Sequence, residues 1–185
     1  MKKLLLALVL AAGMLATQAM AQVAPAADPE NTLYLDLKDG RVVIQMLPNL
    51  APKHVERIKE LTRKGFYNGL IFHRVIPGFM AQMGDPTGTG TGGSGTNIPA
   101  EFSNLRHERG TVSMARAESL NSADSQFFIV LAASTYLDGQ YTYWGKVTQG
   151  MEFVDKIKKG DRDDNGSVQN PDKIIKMQVA ADVKE

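Results

Sequence analysis

The sequence predicts a mainly β fold, an antiparallel sheet that is closed or sandwich-like, with two helices packed on it. Three observations lead there. Around eight short apolar runs of strand length are separated by clusters of Gly, Pro, Asn and Asp. Only two windows carry the apolar spacing of an amphipathic helix. The chain shows no internal repeat, and its 185 residues fit one domain.

The first segment is not part of that fold. Lys2 and Lys3 precede an apolar run from Leu4 to about Leu15, and Ala19-Met20-Ala21 places small residues at a cleavage site. This pattern is a secretory signal peptide over residues 1–21, cut after Ala21. The apolar run is too short to span a bilayer, and no later run is long enough. The expected mature protein is soluble and monomeric, free of the membrane, and periplasmic. Cleavage removes two lysines and no acids, so 21 − 2 = 19 basic residues face 20 acidic ones and the net charge moves from +1 to −1. That balance is no footprint for nucleic acid or anionic lipid. The absence of cysteine means a fold without disulfides even in an oxidising compartment. Residues 22–30, QVAPAADPE, read as a flexible linker, and residues 31–185 as the globular domain.

Leu33, Leu35 and Leu37 alternate with polar residues as in a half-buried strand, and Asp39-Gly40 turns the chain into a second strand, Arg41 to Leu47. Pro48 to Lys64 reads as a helix. Pro52 suits its first turn, Gly65 its C-terminal cap, and Val55, Ile58 and Leu61 its apolar stripe. His54 is expected on the helix surface. Leu70 to Ile76 and Phe79 to Met83 follow as strands around Pro77-Gly78. Strand alternation puts Phe72, Arg74 and Ile76 on one face and His73 and Val75 on the other. It pairs Met80 with Gln82, opposite Phe79 and Ala81. Arg74 in so apolar a stretch either reaches out to water or is aimed into a pocket.

Five glycines lie between Gly88 and Gly95. No Gly-Lys-Ser/Thr follows them, so a mobile or tightly turning surface loop is favoured over a phosphate cradle. His107, in a polar connection, is expected to be solvated. Gly110 to Met114, Gln126 to Leu131, Tyr141 to Val147 and Ile174 to Val179 read as strands, and Tyr136 to Gly139 as a turn. Met151 to Lys159 is the second helix, with Phe153, Val154 and Ile157 facing inward. Trp144, the one tryptophan, is expected in the core. Asp161 to Asp172 matches EF-hand loop positions one, three, five and six, but Asp172 stands where the bidentate Glu belongs. Pro171 and the strand beyond it favour a plain turn there.

Three blocks, FHRVIPGFMAQMGDP from Phe72, SMARA from Ser113 with SQFFIVL from Ser125, and YLDGQYTYWGKVTQGM from Tyr136, resemble the cyclophilin family of peptidyl-prolyl cis–trans isomerases. The similarity runs from about Thr32 to Val179, and the signal peptide and short links resemble an exported bacterial member. The resemblance implies a closed eight-stranded antiparallel barrel capped by two α-helices. It implies Arg74 as the catalytic residue with Gln82 helping to hold it. Phe79, Met80, Phe128 and Leu137 would form the pocket for the proline ring, and the Arg116 backbone would bind the substrate chain. Ala115, Gln126, Tyr136 and Tyr141 complete the implied substrate-binding set. Family members of the best-known type carry Trp at the position of Tyr136, His at that of Tyr141 and Asn at that of Arg116. Tyr136 should therefore weaken binding of the immunosuppressant cyclosporin.

These residue types suit the implied chemistry. Rotation about an X-Pro bond breaks no covalent bond, and an Arg offers a permanent charge on a rigid N–H fork. The three histidines are scattered, without metal-ligand spacing, and no nucleophile elbow is present, so no metal and no cofactor is expected. The implied partners are proline-containing peptides and unfolded exported proteins. A proline-peptide binding module or holdase with little turnover is the alternative. The Arg74 and Gln82 pair favours the enzyme.

Overall fold

The computed structural model describes residues 28–184. The expected signal peptide over residues 1–21 and residues 22–27 of the expected linker lie outside them. The chain enters through a short 3₁₀ turn, Pro29–Asn31, capped by the Asp28 side chain.

Among the described residues there are eight strands and two α-helices. The strands are β1 (Thr32–Leu37), β2 (Gly40–Met46), β3 (Arg74–Ile76), β4 (Met80–Met83), β5 (Thr111–Met114), β6 (Phe127–Val130), β7 (Tyr143–Gln149) and β8 (Lys176–Val179). The helices are α1 (Pro52–Arg63) and α2 (Met151–Lys156). One antiparallel sheet runs in the order β3-β4-β6-β5-β7-β2-β1-β8. The hairpin of β1 and β2 pairs Leu35 with Val42 and Leu37 with Gly40, so Lys38-Asp39 is the loop. Gly40 lets α2 pack close: a Cβ there would lie 2.5 Å from the Phe153 ring, which would have to shift.

The expected closed barrel is corrected to an open half-barrel. β3 pairs only with β4, and β8 only with β1. The chain between the two edges cannot run as a strand, because Asn165, Gly166 and Asn170 take left-handed backbone conformations. It covers the edges as a loop instead. Val75 N–H donates to the Gly166 carbonyl, Phe72 N–H to Asp172 and Gly69 N–H to Ile174. The strands around Arg74 and Ile174 are accordingly shorter than the sequence predicts.

The two faces of the sheet have separate jobs. Val75, Ala81, Met83, Val112, Met114, Phe127 and Ile129 join the main core beneath α1 and α2. Trp144 is in that core, as expected, fully buried with its ring edge-on to Phe127 at 5.3 Å. Side chains of this size stabilise a fold by about 1.5–3 kcal/mol each when fully buried. The alternate residues, Met80, Phe128 and Val130, form a second apolar cluster with Leu137 on the opposite face. Pleating thus gives one sheet the main core on one side and a smaller apolar cluster on the other.

Two histidines depart from expectation. His54 is fully buried on α1, not on its surface. Its Nδ1 meets Glu101 Oε2 at 2.7 Å, and the same carboxylate accepts the main-chain N–H groups of Lys53 and His54. A carboxylate from a distant loop thereby caps a helix whose own N-cap residue, Ala51, offers no side-chain acceptor. His107 is also buried, between Asp138 and Ser113.

The glycine run is a tight turn held at both ends. Asp85 accepts from Thr87 N–H, Gly90 N–H and Gly92 N–H, while Asp124 accepts from Gly95 N–H, Thr96 N–H and the Ser94 hydroxyl. In the acidic turn after α2, Asp172 pairs with Lys38 at 2.8 Å and accepts Lys158 N–H. Among the described residues no group of three or more His, Asp or Glu side chains is placed to hold a metal ion, and no helix is long and apolar enough to cross a membrane.

Candidate active site

Strand register builds the site. Arg74 on β3 lies opposite Gln82 on β4, Gln82 opposite Phe128 on β6, and Phe128 opposite Ser113 on β5. A second row sets Ile76 beside Met80 and Met80 beside Val130. Because side chains alternate, both rows project from the face away from the core. Arg74, Gln82, Phe128 and Met80 from these rows line a cavity of about 1100 Å³ that also touches Phe79, Ala115, Arg116, Tyr136, Leu137 and Tyr141. Ten of the eleven site residues expected from sequence therefore share one cavity. The eleventh, Gln126, lines an adjoining cavity of about 340 Å³ together with Gln82, Ala115 and Arg116.

The inner lining is largely apolar. Met80, Phe128 and Leu137 are buried, with Phe79, Ala115 and Tyr141 packed at their margin. The Tyr141 ring stands edge-on to Phe128 at 5.7 Å, and Tyr136 tilts over Phe79 at 5.6 Å. Tyr136 is 67% exposed, so it forms the rim and not the floor.

A polar chain runs along one wall. Arg74 Nη1 donates to Gln82 Oε1 at 3.1 Å. Gln82 Nε2 donates to Gln126 Oε1 at 2.9 Å, and Gln126 Nε2 donates to the carbonyls of Gly90 and Gly92. On its other side, Arg74 Nε donates to the Asn165 carbonyl at 2.9 Å and Nη2 to Asn165 Oδ1 at 2.8 Å. Three of the five guanidinium N–H groups are thus held, and two remain free. Every partner is a neutral oxygen, and among the described residues Arg74 forms no salt bridge. Burial pulls its pKa down, opposed by Tyr141 and Tyr136. An arginine nevertheless stays protonated in proteins. The cavity therefore presents a fixed, unneutralised positive charge beside an apolar floor.

The Arg116 side chain does not point at the cavity centre. It lies over the Tyr141 ring at 4.8 Å and donates to the carbonyls of Ala117, Glu118 and Gln140. Among the described residues no hydrogen bond engages its main chain, although Ala115 N–H beside it is taken by Gln126.

Sequence reasoning missed Asn165, which grips Arg74 twice from 91 residues away. Its only local signal was the Asn-Gly turn. His73 was expected on the face away from Arg74. It precedes β3, where alternation has not begun, and lines the same cavity with both ring nitrogens unpartnered. Burial pulls the His73 pKa down.

Residues 32–179 match the model of the family described as cyclophilin type peptidyl-prolyl cis-trans isomerase/CLD. A probable peptidyl-prolyl cis-trans isomerase of Brucella suis is 56% identical over 175 residues, covering 88% of this chain and 89% of that one. Peptidyl-prolyl cis-trans isomerase B of Bacillus subtilis is 45% identical over 133 residues, covering 70% of this chain and 92% of that one. Among solved structures, a cyclophilin from Hirschia baltica matches with a TM-score of 0.75 at 26% identity, covering 85% of this chain and 76% of that one. A cyclophilin type isomerase from Cryptosporidium parvum, solved in the presence of the dipeptide Ala-Pro, matches with a TM-score of 0.73 at 29% identity, covering 80% and 98%.

Proposed function

We propose, for a chain that belongs to the cyclophilin-type peptidyl-prolyl cis–trans isomerases, that it turns X-Pro bonds of exported proteins by Arg74-assisted rotation without a covalent intermediate. The observation that carries this reading is the unneutralised Arg74 guanidinium, held by Gln82 and Asn165 at the edge of the apolar floor.

The barrier to be lowered is the loss of amide resonance, about 18–20 kcal/mol for peptide bonds in general. In the twisted state the proline nitrogen becomes pyramidal and gains a lone pair. Met80, Phe128 and Leu137 hold the proline ring, with Phe79 and Tyr136 at the rim, while the preceding carbonyl swings. The free Arg74 N–H groups donate to that lone pair, an interaction that neither planar ground state offers. A factor of ~10⁵ needs roughly 7 kcal/mol. One preorganised donor supplies about 2.7–4 kcal/mol of that, and exclusion of water and fixing of the ring supply the rest. Gln82 and Asn165 act before the reaction, keeping the fork from swinging into solvent. The open Arg116 main chain suits pairing with an extended substrate, beside Ala115 and Gln126. Rotation moves no electrons between partners, so the chemistry requires no cofactor.

The exported location rests on residues 1–21, and the net charge of −1 after cleavage offers no electrostatic footprint for nucleic acid. Two measurements test the reading. N-terminal sequencing of the protein recovered from the periplasm should begin at Gln22, and recovery of the uncut chain from the cytoplasm would remove export from the proposal. Exchange of an Ala-Ala-Pro-Phe-type peptide, followed by NMR, should accelerate with catalytic amounts of the mature protein. Binding without acceleration would make the chain a proline-peptide binder.

A further inference from the structure

The wall of the cavity that carries Tyr136 and Leu137 is a single 3₁₀ turn, Thr135–Leu137. Most hydrogen bonds inside it are local: Leu137 N–H to Ser134, Asp138 N–H to Thr135, Gln140 N–H and Tyr141 N–H to Leu137. Such a turn is not rigid by itself. One residue outside it grips both of its ends. The His107 carbonyl accepts Ser134 N–H at 2.8 Å, just before the turn. Just after the turn, Asp138 Oδ1 accepts His107 N–H at 2.7 Å and faces the ring Nδ1 at 3.0 Å.

The other edge of the same ring reaches β5, next to the strand that carries Phe128. His107 Nε2 meets Ser113 Oγ at 2.8 Å, and both side chains are buried. Ser113 stands opposite Phe128 in the register of β5 and β6. With its proton on Nδ1, the ring donates to Asp138 and accepts from the Ser113 hydroxyl, and all three groups are satisfied. The ring also packs edge-on to Tyr143 at 5.9 Å, which fixes its plane.

We propose that His107 is a positioning residue for the proline pocket, acting through the hydrogen-bonded chain Asp138–His107–Ser113 that ties the Tyr136–Leu137 wall to the strand beside Phe128. His107 lines neither cavity, so it touches no substrate. It sets the distance between wall and floor, and thus the fit of the ring. This inference rests on the reading of that cavity as the proline site. Burying polar groups in a chain of this kind is costly unless each is paired, and the pairing then specifies one arrangement.

The test measures peptide affinity and exchange rate at saturating peptide on the same samples, with thermal melts alongside. His107→Ala should weaken affinity about tenfold, the equivalent of one lost buried hydrogen bond, while the rate at saturation changes by less than about threefold. Asp138→Ala frees the same end of the turn from a side chain at the protein surface, and keeps the proposal testable if His107→Ala does not fold. It should weaken affinity several-fold, and Asp138→Asn, which keeps an oxygen for the His107 main-chain N–H, should recover part of the loss. A purely structural role would lower the melting temperature and leave affinity below the transition unchanged, and that result overturns the proposal. So does Asp138→Ala binding as wild type. Failure of the wild type to bind or accelerate would instead overturn the reading of the cavity.

Discussion

Replacing Glu101 by alanine should loosen the start of α1 and leave the cavity alone. Glu101 lines neither cavity. Its carboxylate accepts Lys53 N–H at 3.1 Å, His54 N–H at 3.1 Å and faces His54 Nδ1 at 2.7 Å. Losing a helix cap costs about 1 kcal/mol. Leaving a buried polar ring unpartnered costs about 1–3 kcal/mol more, and His54 Nε2 is already unpartnered. The sum, about 2–4 kcal/mol, lowers the melting temperature of a domain this size by about 5–12 °C. A pH effect accompanies it. Burial pulls the His54 pKa down, and Glu101 pulls it partly back. Since the folded value lies below the unfolded one, the unfolded chain binds more protons between the two. Stability is therefore complete above the ordinary histidine range near ~6.5 and is lost as pH falls through it toward the folded value. Without Glu101 the folded value drops further, so the acid loss grows. Circular-dichroism melts of wild type and Glu101→Ala at several pH values between neutrality and mild acid measure both effects. A variant melting within about 1 °C of wild type at neutral pH, or showing the same acid loss, refutes the assignment of Glu101 as cap and His54 partner.

Other substitutions separate the floor, the loop and the rim. Phe128→Ala removes a buried ring from the second apolar cluster and should cost about 3–5 kcal/mol of stability as well as peptide affinity, measured by denaturant titration and NMR. Gly92→Ala places a Cβ 2.2 Å from Asp85 Oδ1. It should push the turn off Asp85, raise amide exchange at Gly90 and weaken peptide binding through Gln126. Tyr136→Trp should tighten cyclosporin binding in calorimetry by supplying a larger ring face and an indole N–H at the rim, and an unchanged affinity would remove Tyr136 as a determinant of that binding.

Much of this was legible because strands alternate. Arg74 with Ile76, and Met80 with Gln82, could be assigned to one face from period two alone, and that face proved to be the cavity side. Phe72, expected beside Arg74, lies in the main core instead, and Phe79, expected opposite Met80, lines the cavity, because both fall outside β3 and β4 where alternation does not hold. The stripe of Val55, Ile58 and Leu61 found α1 in the same way, and Pro52 and Gly65 marked its ends. What escaped depends on partners distant in sequence. His54 reads as a surface residue until Glu101, 47 positions on, is known to meet it. His107 reads as solvated until Asp138 and Ser113 close around it. Closure of the sheet was likewise illegible. It depends on left-handed Asn165 and Asn170, whose conformations a strand count does not register. The glycine run read equally as mobile or as tightly turning, because Asp85 and Asp124, which stake it, lie outside it.

The exchange rate of a bound X-Pro peptide, compared between wild type and Arg74→Ala at saturating peptide, bears most directly on Arg74 as the group that lowers the barrier. Removing one donor to the twisted nitrogen should slow exchange by about 10²–10³-fold, with peptide affinity and melting temperature changed far less. A variant that exchanges the bound peptide within about threefold of wild type would show that rotation is accelerated by the apolar pocket without the arginine.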